Sequence, residues 1–240
     1  MVRWGIAGAG GIAEVFAKAV TGMKDKEIVL EGIASRNYGK AYKFAKKNGV
    51  KKAYESFEAM ITSDDIDAVP HPWHCEYAAA ALKAKKHVLC EKPMAMNGAQ
   101  VQYLIDLAYD NNVFLMENMW TRFLPITKQV RTWIEDGEIG EVRMMLANFG
   151  FTAEGYPDTR WFNKNLGGGA LLDVGVYPIS YTTMIMGFDI DDIQTCAYIG
   201  ETGVDEHMNV LLKYRGGRFV SNISCSVVND FGSDMIISGE

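Results

Sequence analysis

Three side chains able to move a proton or hold a charge stand in informative contexts: Lys92, Asp173 and Tyr177. Asp173 and Tyr177 are four residues apart, so on a helix both would lie on one face. Lys92 precedes Pro93, which restricts the backbone of Lys92 to extended conformations. An ammonium group near a phenol lowers the phenol pKa and suits it to acid–base work. We therefore predict that Tyr177 is a general acid/base and that Lys92 polarises a substrate oxygen.

Each of these residues also has a structural interpretation. Gly167-Gly168-Gly169 precede the Asp173 segment, and glycines allow a ligand to approach the backbone closely. The same run is compatible with an ordinary helix start carrying a half-buried tyrosine. Lys92 is compatible with a surface lysine paired to Glu91. Pro178 follows Tyr177 directly, and a proline within a helix is expected to kink it.

A second candidate site lies near the start of the chain. The run Gly8-Ala9-Gly10-Gly11-Ile12-Ala13 separates a strand-like segment, 2–7, from a segment with helical character. In a G-x-G-x-x-A turn, the first glycine permits the tight turn, the second admits a pyrophosphate, and the alanine keeps the helix close to the sheet. The helix N-terminus supplies amide donors to the phosphates. We predict dinucleotide binding by Gly8, Gly10, Gly11, Ile12 and Ala13.

The end of the next predicted strand bears on which dinucleotide is bound. Ser35 and Arg36 stand after the strand 28–34, where an NAD site usually carries an acidic residue for the ribose 2′-hydroxyl. No carboxylate stands at this position to repel a 2′-phosphate, and the Arg36 guanidinium can pair with such a phosphate. The sequence therefore favours NADP(H), with NAD(H) possible. In the alternative interpretation, Arg36 is a solvated charge at a strand end.

The surrounding pattern predicts the elements that position these residues. Strand-like and helical segments alternate in the first half, which is typical of a Rossmann doubly wound parallel sheet. Glu91 and Lys92 then follow the strand 87–90, at the sheet edge that faces the ligand. The run Ile66–Val69 is short for a central strand, and we expect Pro70 to stop it. Strand-like segments recur after one helix in the second half, which predicts an α+β domain with a largely antiparallel open sheet. The predicted domains are 1–120, for dinucleotide binding, and 121–240, for substrate binding and dimerisation.

The totals exclude several classes of protein. The 240 residues carry a net charge of −6 and no basic block, which argues against nucleic acid or an anionic membrane as the partner. No signal peptide and no apolar run of membrane-spanning length are apparent. The four cysteines have no metal-type spacing, and we predict no metal site. These features favour a cytoplasmic protein.

Taken together, the motifs resemble the glucose–fructose oxidoreductase and inositol dehydrogenase family (Gfo/Idh/MocA). The resemblance rests on Gly8–Ala13, on Glu91-Lys92-Pro93 and on the stretch Gly167–Tyr177. The chain looks most similar to the NADP-dependent dihydrodiol and D-xylose dehydrogenase branch, which has tyrosine where many relatives have histidine. The segment 117–123 also resembles that branch.

The resemblance implies further roles. It implies that Asp173 orients the substrate hydroxyl or Lys92, that His74 lies near the cofactor, and that the open sheet face forms a homodimer. Pocket-lining residues would be Trp120, Arg122, Phe151, Arg160 and Trp161. Against the family pattern, the chain is several residues short between Val69 and Pro70, and the family's second domain continues beyond Glu240.

The expected activity is hydride transfer between a nicotinamide and a secondary alcohol or hemiacetal hydroxyl of a sugar or cyclic diol. Two alternatives remain at this point. A non-catalytic dinucleotide-sensing regulator would keep the glycine turn but need not retain Lys92, Asp173 and Tyr177 together. An enzyme that oxidises and re-reduces one sugar would use the nicotinamide transiently and yield no net NADPH.

Overall fold

The computed structural model describes residues 1–23, 27–71 and 74–240, and gives the backbone alone for 70, 71 and 74. The described chain forms two compact units, Met1–Asn118 and Met119–Glu240. Each unit has its own sheet. The dinucleotide and substrate roles that we predict for the two halves remain predictions.

The first unit is a six-stranded parallel sheet with helices between the strands, in the order β3-β2-β1-β4-β5-β6. This is the doubly wound order in which ligands bind beyond the carboxyl ends of the strands, where the order reverses between β1 and β4. The predicted Rossmann architecture is confirmed. The elements are β1 Val2–Ala7, α1 Gly11–Gly22, β2 Ile28–Ala34, α2 Tyr38–Asn48, β3 Lys52–Tyr54, α3 Phe57–Ile61, β4 Ala68–His71, α4 His74–Lys83, β5 His87–Glu91, α5 Gly98–Asp110 and β6 Leu115–Asn118.

Apolar residues at the ends of β1 and β2 explain why the glycine turn is held firmly. Ile6, Ala7, Ile33 and Ala34 are all buried. They belong to the two clusters that join the sheet to its helices. Burial of this kind contributes about 0.8 kcal/mol for each CH₂ group removed from water. The segments just beyond these strands therefore start from fixed positions.

The expectation that Pro70 stops the fourth strand is wrong. β4 runs through Pro70 to His71 and lies between β1 and β5. Its register with β5 continues along the whole strand, with Pro70 opposite Leu89, whereas its register with β1 is a single pair, Trp4 and Ala68. Proline lacks a donor but keeps its carbonyl acceptor. The pairing with β5 therefore holds β4 in the sheet more than the pairing with β1 does.

The second unit contains a mostly antiparallel sheet in the order β11-β7-β10-β9-β8, with β12 also paired to β7. The predicted open, largely antiparallel sheet is confirmed, although β7 and β10 run parallel. Apolar residues of α7, including Ile179 and Ile185, pack on one sheet face against Val210 and Ile223. The elements are α6 Pro125–Glu135, β7 Met144–Thr152, α7 Val176–Met186, β8 Ile190–Ile199, β9 Asp205–Tyr214, β10 Phe219–Ser226, β11 Val228–Gly232 and β12 Met235–Ser238.

Candidate active site

The glycine turn of the first unit presents open backbone at the start of α1. Gly8 has a φ of 93°, in the left-handed region that favours glycine. Gly10 caps α1 without any side-chain hydrogen bond, and an added Cβ at Gly10 or Gly11 would meet nothing within 4 Å. The helix therefore begins with amide donors and empty space. This arrangement fits a dinucleotide pyrophosphate.

Ser35 and Arg36 lie beside this turn, because the Gly8 N–H donates to the Ala34 carbonyl at 2.8 Å. Arg36 is exposed, and the Ser35 hydroxyl oxygen accepts the Asn37 N–H at 3.4 Å. A hydroxyl and a guanidinium thus stand one and two residues beyond the strand that meets the glycine turn. The chemistry of both groups fits a 2′-phosphate. Of the other predicted cofactor residues, Ile12 is exposed and Ala13 packs against the core, while the His74 side chain lies outside the described residues.

Glu91 and Lys92 are held at the carboxyl end of β5 by residues of β6. The Asn118 amide donates to Glu91 Oε1 at 2.6 Å, and the Met94 N–H donates to Glu117 Oε1 at 2.8 Å. Burial raises the pKa of Glu91, although the Asn118 hydrogen bond opposes that shift. Burial also raises the pKa of the Cys90 thiol to about 12, so this cysteine is not a nucleophile. The sequence analysis did not single out Glu117 and Asn118 as supports of the Lys92 loop.

The segment carrying Asp173 and Tyr177 contains a π turn, which we define as Leu171–Gly175. The predicted helix near Ala170 is confirmed, but the four-residue spacing of Asp173 and Tyr177 spans the π turn and not a single α-helical turn. The Val176 N–H donates to the Leu171 carbonyl five residues back, and the α-helix proper begins at Val176. Pro178 consequently falls in the first turn of α7, where proline is tolerated. Such π turns occur often at functional sites.

Asp173 is only 9% exposed and accepts two side-chain hydrogen bonds. Arg160 Nη1 donates to Oδ1 at 3.0 Å, and Trp161 Nε1 donates to Oδ2 at 3.1 Å. The Arg160 guanidinium also lies 4.9 Å from the Trp161 ring centre. Both carboxylate oxygens are therefore oriented by residues that the sequence analysis placed in the pocket wall. Phe151 continues this cluster through an edge contact with Trp161.

Tyr177 has a different set of neighbours. Trp120 Nε1 donates to the phenol oxygen at 3.3 Å, and the two rings meet edge to face at 6.4 Å. The ring of Phe149 lies 5.5 Å away on a tilted plane. Phe149 was not among the predicted pocket residues, although it lies two residues before Phe151 in β7 and therefore on the same face of the strand. The phenol of Tyr177 thus stands among aromatic rings with one N–H donor at its oxygen.

Arg122 supports α7 through hydrogen bonds of its guanidinium group. Its guanidinium donates to Ser180 Oγ at 2.8 Å and to the Ser180 carbonyl at 2.9 Å. A third bond reaches the Thr183 hydroxyl at 3.3 Å. These bonds connect the turn that bears Trp120 to the helix that bears Tyr177. The predicted contact between Arg122 and substrate remains a prediction, and the observed bonds show a supporting role.

The glycine run before the π turn allows two stretches of backbone to pack closely against each other. A Cβ at Gly168 would lie 2.6 Å from the Trp161 carbonyl oxygen and 2.7 Å from that of Arg160. The Gly169 N–H donates to the Trp161 carbonyl at 2.9 Å. We expected the space beside these glycines to admit a ligand. At Gly168 that space is instead filled by the backbone of this chain. The glycines therefore hold Arg160 and Trp161 where they can reach Asp173.

These features, a doubly wound nucleotide fold and a second unit with a carboxylate and a phenol on one segment, define an oxidoreductase of the Gfo/Idh/MocA class. The chain belongs to this family: residues 2–119 match the oxidoreductase family with an NAD-binding Rossmann fold, and residues 127–240 match the GFO/IDH/MocA C-terminal domain. The resemblance inferred from the motifs is confirmed.

Among its relatives are trans-1,2-dihydrobenzene-1,2-diol dehydrogenases. The chain is 37% identical to that of Danio rerio over 243 residues, covering 99% of this chain and 72% of the relative. It is 40% identical to that of Xenopus tropicalis over 221 residues, covering 90% of this chain and 66% of the relative.

Solved structures of the family have the same fold. A 3-ketoreductase from Actinomadura kijaniata in complex with NADP and TDP-benzene matches with a TM-score of 0.89 and 29% identity, covering 100% of this chain and 74% of that chain. A putative myo-inositol dehydrogenase from Sinorhizobium meliloti matches with a TM-score of 0.85 and 26% identity, again over 100% and 74% of the two chains.

Proposed function

We propose that the protein is an NADP(H)-preferring dehydrogenase or reductase that acts on a secondary hydroxyl of a cyclic diol or a sugar. The observation that carries the proposal is the Asp173–Tyr177 segment, in which an oriented carboxylate and a phenol with an N–H donor stand among aromatic rings. The relatives named above act, by their names, on a dihydrobenzene diol and on keto groups. These names support a substrate with adjacent hydroxyl groups on a ring.

The residues of this chain would manage the proton and the orientation of the substrate. A bound nicotinamide supplies hydride transfer to or from the carbon that bears the hydroxyl. During alcohol oxidation, the Tyr177 phenolate accepts the hydroxyl proton, and during reduction the phenol returns it. The Trp120 N–H donates to the Tyr177 oxygen and so orients the phenol. Lys92 polarises the substrate oxygen, and Asp173 orients the hydroxyl group.

The aromatic rings beside Tyr177 and beside Asp173 suit the proposed substrate. Trp120, Phe149, Phe151 and Trp161 offer flat apolar surfaces beside polar groups. A cyclic diol presents an apolar ring face and polar edges, which match this combination. Specific pockets commonly combine apolar walls with a few oriented polar groups.

The NADP(H) preference rests on Ser35 and Arg36 beside the glycine turn. Fluorescence titration of the purified chain should give tighter binding of NADPH than of NADH. Arg36→Ala should remove most of that difference, because a charge-assisted bond to the 2′-phosphate contributes about 1.5–3 kcal/mol. Arg131→Ala, at an exposed arginine paired with Glu135 in the second unit, is the matched control. Equal affinity for the two cofactors, or an Arg36→Ala chain that keeps its preference, would remove this part of the proposal.

The activity itself is tested with a panel of trans-cyclic diols, aldoses and inositols, each with NADP⁺, and the corresponding ketones with NADPH. Net formation of NADPH from a diol or sugar supports the proposal and excludes a cycle that re-reduces its own product. Cofactor binding without turnover across the whole panel would instead indicate the non-catalytic regulator.

The proposal includes a homodimer formed through the open sheet face of the second unit, as the family resemblance implies. Leu211 and Ile236 are exposed on this unit. It also includes a cytoplasmic location, which suits the four free cysteines. Within the described residues, no helix has the length and apolar character needed to cross a membrane.

A further inference from the structure

The amide groups that open the π turn are bound by a distant side chain. The Leu171 N–H donates to Asp205 Oδ2 at 2.6 Å, across 34 positions of sequence. The Ala170 backbone N–H also lies beside this carboxylate and lowers its pKa, although burial outweighs this effect. Ala170, which caps the π turn, has no side-chain group for this purpose. A helical start leaves several amide donors without internal partners, so Asp205 supplies the cap from β9.

Gly169 makes room for this contact. Its φ of 114° lies in the region that favours glycine, and a Cβ at this position would collide with Asp205 Oδ1. The Gly169 carbonyl in turn accepts the Asp173 N–H at 3.2 Å. One half-buried carboxylate therefore fixes the backbone at Ala170 and Leu171, immediately before Asp173.

We propose that Asp205 is a positioning residue for the reaction: by capping the π turn, it sets where Asp173 and Tyr177 stand against their partners in the second unit. This inference rests on the proposed function, since it concerns the residues that would carry the proton. Asp205 acts through the backbone of Ala170 and Leu171 and is not assigned a contact with substrate.

The geometry explains why the effect should appear in turnover. Asp173 follows Leu171 by two residues, and its two hydrogen bonds to Arg160 and Trp161 depend on the position of the turn. The Tyr177 oxygen accepts a bond from Trp120 that is already 3.3 Å long. A small shift of the turn therefore disturbs both groups. Misplacement of a reacting group by about 1 Å can cost on the order of 10²-fold in rate.

Asp205→Asn is the primary test, because asparagine keeps the size of the side chain and one acceptor oxygen but removes the charge. We expect kcat with the best substrate of the panel to fall by about 10- to 100-fold. NADPH affinity should stay close to that of the control, and the unfolding temperature should not fall below that of the control. The control is Asp191→Asn, since Asp191 Oδ2 also accepts a backbone N–H at 2.6 Å in the same unit, from Gly216 in the β9–β10 turn.

Two further measurements separate positioning from a general structural role. Amide exchange of the peptide 169–173 should accelerate in Asp205→Asn and not in Asp191→Asn. Gly169→Ala should lower kcat in the same way, and the double variant Gly169→Ala/Asp205→Asn should lose little more than either single variant, because both changes displace one contact.

The outcomes are distinct from those of the proposed function. Wild-type kcat in Asp205→Asn, together with an inactive Tyr177→Phe, overturns the positioning inference and leaves the proposed function standing. A parallel loss of kcat, NADPH affinity and unfolding temperature also overturns it, because a general loss of structure then explains the rate. Absence of turnover by the wild-type chain across the whole panel overturns both.

Discussion

At the scale of single residues, the site is built from side chains that bind one another before any substrate is present. Asp173 accepts from Arg160 and Trp161, and Tyr177 accepts from Trp120. Preorganised donors of this kind cost no rearrangement when the reaction begins. The orientation of the carboxylate and of the phenol is therefore a property of the second unit itself.

Tyr177→Phe should lower kcat by about two to four orders of magnitude, the usual effect of a general acid–base group. NADPH affinity should be unchanged, because the cofactor motif lies in the first unit. The matched control is Tyr181→Phe on the same helix, whose hydroxyl bonds Thr127 at 2.8 Å. That control should lose about 1 kcal/mol of folding free energy and retain turnover. Equal turnover in the two variants would remove Tyr177 from the mechanism.

Asp173→Asn should destabilise the second unit as well as slow the reaction. Asparagine offers one acceptor where Arg160 and Trp161 each need one, so a donor is left facing an N–H group. We expect a loss of about 1–3 kcal/mol in folding free energy, measured by denaturant unfolding. The variant Asp158→Asn, at an exposed position of the same unit, should leave the folding free energy unchanged.

At the scale of elements, glycines serve two different purposes in the two units. Gly10 faces open space at the start of α1, whereas Gly168 faces the backbone of Arg160 and Trp161. The same residue type therefore leaves room for a ligand in one turn and for the chain itself in the other.

A pair of substitutions separates these purposes. Gly10→Ala should leave the unfolding temperature unchanged, because its backbone φ of −95° suits alanine and a Cβ has room there. It should weaken NADPH binding by about tenfold, equivalent to one lost bond to a phosphate. Gly168→Ala should cost ~1–3 kcal/mol of stability, since the new atom meets fixed backbone. Calorimetry and cofactor titration on both variants check the contrast, and equal effects of the two on stability would contradict it.

Much of the architecture could be predicted from sequence because local patterns determine it. The strands Val2–Ala7 and Ile28–Ala34 have their predicted bounds. β3, with three residues, and β11 were too short or too polar to produce a pattern. The strand through Pro70 escaped prediction because its pairing depends on β5, which no local rule contains.

Prediction from local sequence patterns is limited in the same way, and more strongly, at the candidate site. The residue types and the position of Tyr177 were apparent from sequence, but the partners of Asp173 lie 12 and 13 residues earlier, without periodic spacing. The capping carboxylate lies 34 residues later than Leu171. Such contacts depend on how turns fold back, and one sequence carries no pattern for them.

At the scale of the whole molecule, each unit contains a half-buried acid whose ionisation opposes folding. Burial raises the pKa of Glu91 in the first unit and of Asp205 in the second. Between the unfolded and the folded pKa values, the folded chain therefore binds more protons than the unfolded chain. Stability from this source is fully present below the unfolded pKa and is lost as the pH rises through the folded pKa.

Calorimetry of the cofactor-free chain as a function of pH tests this linkage. Relative to the wild type, Glu91→Gln and Asp205→Asn should each gain unfolding temperature as the pH rises from about 4, the ordinary carboxyl pKa, through the raised values. Where the two units unfold separately, each substitution should alter one transition. A difference that shrinks as the pH rises would show that the pKa shift has the opposite sign.

The shared space between Gly169 and Asp205 also constrains how the sequence can diverge. A side chain at position 169 and a carboxylate at position 205 cannot both occupy that space. We therefore expect the two positions to change together during evolution: a descendant that gains a side chain at 169 must first shorten or lose the acid at 205. The order of those two mutations is fixed by the collision: a path that changes position 205 first is open, and a path that changes position 169 first passes through a chain whose π turn is displaced.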